Sequence, residues 1–492
     1  MSRATLTPAR LAWTLKRKLS AAIAATLLPL LLVGAFLYAK AEFIVLGAEA
    51  YIFGYPLVIT DVTRANAALT LGPENQLNRV RQFPGAGFRE VVRPNVDTLY
   101  TTAFIDMDQG PWVFAMAAND QRYALMPLMD AWTHVFAAPG TRATGPAGGE
   151  FLLAGPTWHG EVPPGLTLLR SPTRTVWLIG RTQTNGVADY PLVHRLQDGV
   201  TLRSLRDWRA GRGGPDDQAK PDRTALAGSD SATLAGPTWQ ASTPRPLPPL
   251  LQMQAMGTPE LLRRLARLMA DNPPAKADGP MMAKLSRIGI VPGRNPDWSL
   301  ADRWALSLGR WIADFTVARE LKKPRDLVRG WSSPPDLLGN YGTAYNVRAV
   351  VAMVGLGANL PADAVYPNTR VDATGQPLNG QHRYRLHFKA DSLPPVNAFW
   401  SITAYGADDY LMDNPMQRHA LGDRDPLVFN PDGSLDLLVQ ADPPQDDGKG
   451  GARANWLPVK AGEPFLLNAR LYWPKPAVLN GSWGMPAVER ID

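Results

Sequence analysis

Val91-Val-Arg-Pro-Asn-Val-Asp-Thr-Leu-Tyr100 and Arg122-Tyr-Ala-Leu-Met-Pro-Leu-Met-Asp-Ala-Trp-Thr-His134 bound the most informative region of the chain. Short apolar runs alternate here with turn residues, a pattern that predicts β-strands. The same runs carry polar side chains, and a polar group inside an apolar strand requires a hydrogen-bonding partner. We therefore expect a functional site in this region. The polar residues in question are Asn95, Asp97, Thr98, Tyr100, Asp130, Thr133 and His134.

Strand-like runs lie on both sides of a helical middle region. In the first half they include residues 99–105, 112–116 and 175–179, and in the second half residues 383–389 alternate between apolar and charged side chains. Short strands at this spacing are typical of sandwiches and barrels. The 46 prolines and 43 glycines favour turn-rich β-structure over long helical bundles. The sequence predicts a mixed, mainly β protein with two β-sandwich, jelly-roll-like domains flanking the helical region.

The chain divides at changes in composition. Residues 42–69 have the pattern of one helix or two, and Gly54 and Pro56 are the residues that we expect to break it. Residues 209–256 are rich in glycine, proline and polar residues, which predicts an exposed connection. The predicted divisions are a cytoplasmic basic tail (1–18), a transmembrane signal-anchor (19–39), an N-terminal β-rich domain (42–208), the connection (209–256), a helical region (257–360), a C-terminal β-sandwich (361–478) and a tail (479–492).

The N-terminal segment predicts a membrane anchor. Residues 19–39 contain no charged side chain, and 21 residues are long enough to cross a hydrocarbon core of about 30 Å as a helix. The residues ahead of them carry five basic and no acidic side chains, so the positive-inside rule keeps them cytoplasmic. This predicts a single-pass inner-membrane protein with its bulk in the periplasm. The alternative is a signal peptide cleaved after Ala39-Lys40-Ala41, which leaves a soluble periplasmic protein.

Composition excludes several classes of protein. The chain has no cysteine, so it has no disulfide, thiolate metal site or cysteine nucleophile. Its net charge is +7, but the basic residues are scattered outside the N-terminus, which argues against a nucleic-acid partner. The six histidines show no metal-ligand spacing, and no glycine-rich phosphate-binding motif precedes a helix. We therefore expect no cofactor and no metal.

Asp97, Asp130 and His134 are the predicted catalytic residues. If two strands bring Asp97 and Asp130 into one pocket, one carboxyl group can donate a proton while the other accepts one. His134 could then relay a proton beside Asp130. Such a site would belong to a metal-independent hydrolase or lyase. The alternative is structural, because an aspartate at the start of a strand commonly caps a turn.

The helix expected over residues 341–356 predicts part of a ligand site. Tyr341, Tyr345 and Arg348 are spaced by four and three residues, which places them on one helix face. Such a stripe can hold a carboxylate or a sugar, but it can equally anchor the helix to a neighbouring loop.

A second aromatic and polar group lies in the C-terminal half. Aromatic rings together with amide and guanidinium donors supply the stacking and directional hydrogen bonds that a sugar or a small organic acid requires. The alternative is that Trp400 is a core residue and Asp413-Asn-Pro a structural turn. With both groups, the predicted ligand-binding residues are Asn95, Tyr100, Tyr341, Tyr345, Arg348, Trp400, Tyr405, Asn414 and Arg418.

A series of motifs runs in order through residues 45–478. The first are Tyr51-Ile-Phe-Gly-Tyr-Pro, Arg93-Pro-Asn-Val-Asp-Thr-Leu-Tyr and Arg122-Tyr-Ala-Leu-Met-Pro-Leu-Met-Asp. Later ones are Tyr345-Asn-Val-Arg-Ala, Tyr366-Pro-Asn-Thr, Gly380-Gln-His-Arg-Tyr-Arg-Leu-His-Phe, Phe399-Trp-Ser-Ile-Thr-Ala-Tyr, Asp413-Asn-Pro, Asn455-Trp-Leu-Pro and Leu471-Tyr-Trp-Pro. The chain resembles the bacterial two-domain family named DUF1254 and DUF1214. The resemblance implies two β-sandwich domains flanking helices and implies no particular reaction.

The sequence departs from the family's usual residues at two positions. His134 stands where asparagine is common, and His419 where an aromatic residue is common. If either position is catalytic in relatives, a chemistry common to all members is not expected in this chain.

Two classes of function agree with these observations. The first is an exported, membrane-tethered protein that binds or processes a small polar ligand in a cleft between the two sandwiches and the 341–356 helix. The second is a non-catalytic envelope protein that contacts partners or other subunits, of unknown oligomeric state. Convergence of Asp97, Asp130 and Arg348 on one pocket would favour the first class, and dispersed, locally hydrogen-bonded positions would favour the second.

Overall fold

The described chain begins with two apolar helices. The structure is a computed structural model that describes residues 27–89, 92–120, 122–213, 246–322, 327–332, 337–445 and 451–492. Helix α1 comprises Leu27–Ala39 and helix α2 comprises Ala41–Thr70. Helical hydrogen bonding continues between them, because the Lys40 amide donates to the Phe36 carbonyl at 2.9 Å and the Ile44 amide donates to the Lys40 carbonyl at 3.0 Å. The two helices therefore form one nearly continuous segment.

Helix α2 is unbroken over 30 residues, so the expected break at Gly54 and Pro56 is wrong. Both residues are buried among other helices, and packing outweighs their low helix propensity. Gly54 is required by this packing, since a Cβ atom there would overlap the Leu265 side chain.

Two sheets follow α2 in the first half of the chain. A six-stranded sheet has the order β1-β2-β9-β5-β6, with β4 also paired to β9, and a four-stranded sheet has the order β10-β3-β7-β8. Apolar side chains of both sheets, among them Ile105, Phe114, Leu153 and Leu178, share one hydrophobic cluster. The elements are β1 (Asn78–Arg79), β2 (Thr98–Asp106), β3 (Trp112–Met116), β4 (Ala124–Leu125), β5 (Leu128–Asp130), β6 (Val135–Ala137), β7 (Gly149–Ala154), β8 (Thr167–Arg170), β9 (Thr175–Gln183), α3 (Tyr190–Asp198), β10 (Thr201–Ser204) and α4 (Leu205–Arg209), with short 3-10 turns at Met107–Gln109 and Val187–Asp189.

The middle of the chain is helical and packs around α2. Apolar residues of α2 and of all five of these helices form one buried cluster. The helices are α5 (Pro249–Ala255), α6 (Thr258–Asp271), α7 (Gly279–Ser286), α8 (Leu300–Lys322) and α9 (Tyr345–Val354), with a 3-10 turn at Lys276–Asp278.

Helices α2 and α8 run parallel and touch closely. Lys40 pairs with Asp302, Gly47 lies against Leu306, and Arg310 lies over the Tyr51 ring, so residue numbers rise together along both helices. At Gly309 a Cβ atom would overlap the Ile44 carbonyl oxygen and lie 2.9 Å from the Ala48 nitrogen. The glycine therefore allows the two backbones to approach.

The second half contains two further sheets. One has the order β11-β12-β14-β20-β16-β17, with β13 also paired to β20, and the other has the order β19-β18-β15-β21. Tyr384, Ile402, Leu437 and Leu467 belong to a hydrophobic cluster that both sheets share. The elements are β11 (Leu327–Val328), β12 (Trp331–Ser332), β13 (Ala364–Val365), β14 (Asn368–Thr369), β15 (Tyr384–Phe388), β16 (Trp400–Gly406), β17 (Ala420–Gly422), β18 (Leu435–Gln440), α10 (Gly451–Ala454), β19 (Trp456–Pro458), β20 (Phe465–Tyr472), α11 (Pro476–Leu479) and β21 (Val488–Arg490). The described residues therefore form a mixed α/β protein with four sheets and eleven α-helices.

Candidate functional site

Asp97 lies at the junction of the two β-rich halves. It directly precedes β2 and is completely buried. Its carboxylate accepts a 2.6 Å hydrogen bond from the Ser401 hydroxyl and a hydrogen bond from the Arg424 guanidinium, and the Tyr472 hydroxyl lies 3.5 Å away. Arg424 also donates to the Thr184 carbonyl at 2.9 Å. The three side chains around the Asp97 carboxylate all come from the second half, so these contacts join the two halves.

Asn95 and Tyr405 belong to the same junction. Asn95 Oδ1 accepts the backbone amides of Asp97 at 2.6 Å and Thr98 at 3.1 Å, which is an Asx turn. Its amide group donates to the Tyr472 hydroxyl at 2.9 Å. The buried Tyr405 hydroxyl donates to the Pro94 carbonyl at 2.7 Å. Both side chains are saturated by protein groups and hold the loop before β2 against β16 and β20.

Asp97 and Asp130 do not share a pocket. Along β9, Thr98 pairs with Gln183 and Asp130 pairs with Val176, which are seven residues apart. At about 3.3 Å per residue the two positions are separated by about 23 Å. The predicted acid–base pair is therefore not formed, because the carboxyl groups lie near opposite ends of one strand.

Asp130 closes a tight turn that ends at His134. Its carboxylate accepts the backbone amides of Trp132 and His134, each at 2.9 Å. Thr133 between them has a positive φ of 71°. Burial raises the pKa of Asp130 to about 7, although the two amide donors and Arg348 act in the opposite direction. The local hydrogen bonds match the structural alternative that the sequence left open.

His134 and Arg348 meet beneath α2. Arg348 Nη1 lies 3.2 Å from His134 Nε2, and because a guanidinium can only donate, that nitrogen accepts. Burial and the charge of Arg348 lower the pKa of His134 to about 4, so the imidazole is neutral at pH 7. The backbone amide of Tyr341 lies 3.4 Å from the other ring nitrogen.

Arg348 is almost completely buried among aromatic rings. The guanidinium lies 5.4 Å from the Phe53 ring centroid, 5.2 Å from that of Trp132 and 5.3 Å from that of Tyr345. Its Nε has no hydrogen-bond partner among the residues that the structure describes. The Tyr345 hydroxyl donates instead to Asp278 at 2.9 Å. The structure thus brings together His134, Tyr341, Tyr345 and Arg348. Tyr345 and Arg348 lie on one helix as expected, but Tyr341 precedes α9, which begins at Tyr345 rather than at residue 341.

Trp400, Asn414 and Arg418 do not converge on one site. Trp400 is a core residue between the two sheets of the second half. Asn414 closes a loop by accepting the Arg418 amide at 3.0 Å and donating to the Arg418 carbonyl at 3.1 Å. The Arg418 guanidinium donates to backbone carbonyls, including that of Trp456 at 3.1 Å. Tyr405 is an odd number of residues from Trp400 on β16 and so faces the opposite side.

Tyr100 also lies apart from both groups. It is half-buried on β2, and the Arg181 guanidinium lies 5.2 Å from its ring centroid. Arg181 donates to the Gly357 carbonyl at 2.9 Å, so the pair links β2 and β9 to the chain after α9.

A cleft that was not predicted lies in the helical layer. It has a volume of about 340 Å³, within the size range of small-molecule sites. Tyr51 and Tyr55, each only 2% exposed, form its floor, and Arg310 and Asp314 form part of its wall. The remaining lining residues are Leu250, Gln254, Met353 and Val354. The i, i+4 spacing of Tyr51 with Tyr55 and of Arg310 with Asp314 is the sequence signal that could have pointed here.

Arg310 fixes the geometry of this cleft. Its guanidinium donates to the Met256 carbonyl at 2.5 Å and lies 5.1 Å from the Tyr51 ring centroid, and its Nε is 3.6 Å from Asp314. Burial raises the pKa of Tyr51 to about 12 and also raises that of Tyr55, so both hydroxyls stay protonated at neutral pH. Among the described residues Tyr55 has no hydrogen-bond partner for its hydroxyl. The cleft is therefore lined by an unpaired tyrosine hydroxyl and a carboxylate.

The comparisons with known proteins identify the family. Residues 74–204 match the family model described as protein of unknown function DUF1254, and residues 363–476 match that described as DUF1214. The chain is a two-domain DUF1254–DUF1214 protein. No curated protein matches it in sequence.

One solved structure supports the fold of this DUF1254–DUF1214 protein. The VPA0106 protein from Vibrio parahaemolyticus is 24% identical and superposes over 92% of this chain and all of its own, with a TM-score of 0.66. An uncharacterised protein from Burkholderia cenocepacia is 12% identical and aligns with 94% of this chain and 98% of its own, with a TM-score of 0.42. The first of these shares the fold over nearly the whole chain.

The family boundaries separate the two polar regions of this DUF1254–DUF1214 protein. Asp97 lies in the DUF1254 range, and its partners Ser401, Arg424 and Tyr472 lie in the DUF1214 range. Every residue that lines the cleft lies outside both ranges. The junction therefore joins the two family domains, whereas the cleft is built from the helices around them. In the described residues no group of three or more histidine, aspartate or glutamate side chains has the geometry of a metal site.

Proposed function

We propose that this protein is a membrane-tethered envelope protein that binds a small hydroxylated ligand, of the size of a monosaccharide or a hydroxy acid, in the helical cleft. The observation that carries the proposal is the pair of buried tyrosines, Tyr51 and Tyr55, on the floor of a cleft of about 340 Å³ beside Asp314. A tyrosine hydroxyl can donate or accept, a carboxylate accepts, and a ligand hydroxyl can satisfy both. The apolar side chains of Leu250 and Met353 cover the remaining surface, as is common in ligand sites.

Binding without catalysis agrees best with the positions of the acidic residues. Catalysis by Asp97 and Asp130 together would need them in one pocket, and they lie near opposite ends of β9. Asp130 and His134 remain adjacent, but the Asp130 carboxylate accepts a local backbone amide and His134 accepts a hydrogen bond from the buried Arg348. We therefore place the ligand in the helical cleft rather than between the two β-rich halves, each of which we propose to be a β-sandwich because its two sheets share a hydrophobic cluster.

The tether is supported by the exposed surface of α1. Its 13 described residues carry no charge, and leucine side chains such as Leu30 and Leu31 are exposed all along it. Helix α2 also has the length and hydropathy of a membrane span, but 83% of its most apolar window is buried inside the protein, so α2 is a core helix. The predicted span of residues 19–39 continues α1 towards residues that lie outside the described chain.

The link at Lys40 favours an uncleaved anchor. Lys40 Nζ donates to Asp302 at 2.7 Å, which attaches the end of α1 to the start of α8. Cleavage after Ala41 would remove this ion pair and interrupt the helical hydrogen bonds between α1 and α2. Membranes carrying the full chain should retain it after an alkaline wash, whereas a chain starting at Glu42 should be released. Release of the full chain by that wash would contradict the tether.

The ligand proposal is tested by calorimetry on the full chain in mild detergent, against a panel of monosaccharides and small hydroxy acids. Tyr55→Phe and Asp314→Asn should each weaken binding about 10-fold, the effect of about 1.4 kcal/mol, without lowering the unfolding temperature. Tyr410→Phe removes a tyrosine hydroxyl that bonds the Arg89 carbonyl outside the cleft and serves as the matched control. The proposal fails if no compound binds more tightly than about 1 mM, or if Tyr55→Phe binds as tightly as the unmodified protein.

A further inference from the structure

Helix α8 is apolar on two opposite faces. One face, which includes Ala305, Leu306 and Ala313, is buried against the rest of the protein. The other face carries three large aromatic side chains that are strongly exposed, Trp304 at 67%, Trp311 at 68% and Phe315 at 64%. Single exposed apolar residues are ordinary, but a continuous row of them on one helix marks an interaction surface.

The exposed row has the spacing of a coiled-coil seam. Its residues follow one another at alternating intervals of three and four, which is the a and d pattern of a heptad repeat. Extended by one small residue at each end, the seam consists of Ala301, Trp304, Leu308, Trp311, Phe315 and Ala318. The row runs for most of the 23 residues of α8, so a partner helix could pack against it for several turns.

The flanking charges select a parallel partner. In this heptad frame Asp314 occupies a g position and Arg319 the following e position, and both are exposed. In a parallel pair a g residue faces the e residue of the partner's next heptad, so Asp314 of each copy would face Arg319 of the other. In an antiparallel pair that matches the whole seam, Ala301 of one copy meets Ala318 of the other, so Asp314 approaches the uncharged Ser307 and gains no ion pair. The charge pattern is therefore complementary to a second parallel copy of the same helix.

The direction of α8 also agrees with a parallel dimer whose two copies are anchored in one membrane. Helix α8 runs parallel to α2, which continues α1. With α1 as the proposed tether, α8 would project away from the bilayer, whereas a helix that binds lipid lies in the plane of the interface. Two copies anchored in one membrane are related by a twofold axis along its normal, and this axis makes their α8 helices parallel.

We propose that α8 forms a parallel two-stranded contact with α8 of a second copy of this chain, through the seam from Ala301 to Ala318. The contact buries the exposed tryptophans in a self-complementary interface. The seam stands independently of the ligand cleft, although Asp314 contributes to both. Only the argument from membrane orientation rests on the proposed tether.

Cysteine cross-linking tests the contact directly, because the chain has no cysteine of its own. In a parallel pair the same residue of both copies meets at the seam, so Ala318→Cys and Ala301→Cys should each give a disulfide-linked dimer of the full chain under mild oxidation. Ser286→Cys, exposed on α7 outside the seam, should give no disulfide-linked dimer in the same conditions. A cross-link that forms only when the two cysteine variants are mixed would show an antiparallel pair and overturn the proposal.

A second variant separates pairing from misfolding. Trp304→Glu with Trp311→Glu places charges on side chains that are exposed in the single chain, so folding should be preserved. The molar mass of the full chain in mild detergent should fall from two copies to one, with an unchanged circular dichroism spectrum. A monomeric unmodified protein, or a double variant that stays dimeric, would contradict the proposal. Loss of vesicle binding without a change in mass would assign the seam to lipid and would also contradict it.

Discussion

The Ser401 hydroxyl donates a 2.6 Å hydrogen bond to the Asp97 carboxylate, and the two residues come from different family domains. Arg424, which belongs to the same domain as Ser401, also donates a hydrogen bond to this carboxylate. A fully buried carboxylate is stable only with such partners, because removal of its charge partner leaves an uncompensated ion in a medium of low dielectric constant. The polar residues of the first β-rich half are thus used to bind the second half rather than a soluble ligand.

Arg424→Met should destabilise the protein strongly. It leaves the Asp97 carboxylate buried without its cation, and breaking a buried pair from one side costs about 3–5 kcal/mol. The double variant Asp97→Asn with Arg424→Met should recover part of that loss. The measurement is the free energy of unfolding in denaturant, with Glu463→Gln, which breaks a surface pair with Lys460, as a control without measurable effect. Equal stability of the single variant and the unmodified protein would show that Asp97 does not depend on Arg424.

Unlike Arg424→Met, Arg348→Met should leave the stability of the protein unchanged or raise it. Arg348 is as buried as Asp97, but among the described residues no carboxylate hydrogen-bonds to it, and three aromatic rings surround it. Replacing a poorly compensated buried cation with an apolar side chain of similar length is often neutral, or stabilising by about 1–2 kcal/mol. The measurement is the free energy of unfolding in denaturant, compared between this variant and Arg424→Met. A loss as large as that of Arg424→Met would mean that His134 and the aromatic rings compensate the charge fully.

Asp130→Asn should stabilise the protein increasingly as pH rises. Burial raises the pKa of Asp130 to about 7, so the folded state holds its proton more tightly than the unfolded chain, where the pKa is about 3.8. Stability attributable to this group is complete below pH 4 and is lost as pH rises to 7. Asparagine keeps an oxygen for the amides of Trp132 and His134 and has no proton to lose, so the variant should gain on the order of 2 kcal/mol at pH 8. A difference that does not change between pH 4 and pH 8 would contradict the raised pKa.

Gly309→Ala should separate α2 from α8. The added methyl group would overlap the Ile44 carbonyl oxygen, and backbone cannot move aside as a flexible side chain can. A loss of about 1–3 kcal/mol is expected from such overpacking. Gly257→Ala is the matched control, because a Cβ atom there meets no neighbour within 4 Å and should leave the unfolding temperature nearly unchanged. A Gly309→Ala protein as stable as the control would mean that the two helices can move apart freely.

The β-strands were largely predictable because their periodicity is local. The run 112–116 coincides with β3, and the alternation over 383–389 gave β15 to within one residue at each end. The expected helix break at Gly54 was wrong because α2 is buried among other helices, and Gly54 itself packs against Leu265, which is more than 200 residues away. Local propensity contains no information about such a neighbour.

The candidate site was less predictable for the same reason. Polar residues in apolar runs correctly marked Asp97 as a group that needs partners, but the runs do not reveal that the partners are Ser401 and Arg424. The helical spacing did place Tyr345 and Arg348 together, since both lie on one helix. The cleft requires four separate helices to assemble, and its only sequence signals are the i, i+4 spacings of Tyr51 with Tyr55 and of Arg310 with Asp314.

The ion pair between Asp97 and Arg424 can form only late in the synthesis of the chain. The two residues are 327 positions apart, so the carboxylate leaves the ribosome long before its guanidinium has been made. At about 5–20 residues per second, the wait is on the order of half a minute. During that interval Asp97 lacks the second-half residues that surround its carboxylate, so the junction can close only after the second half has been synthesised.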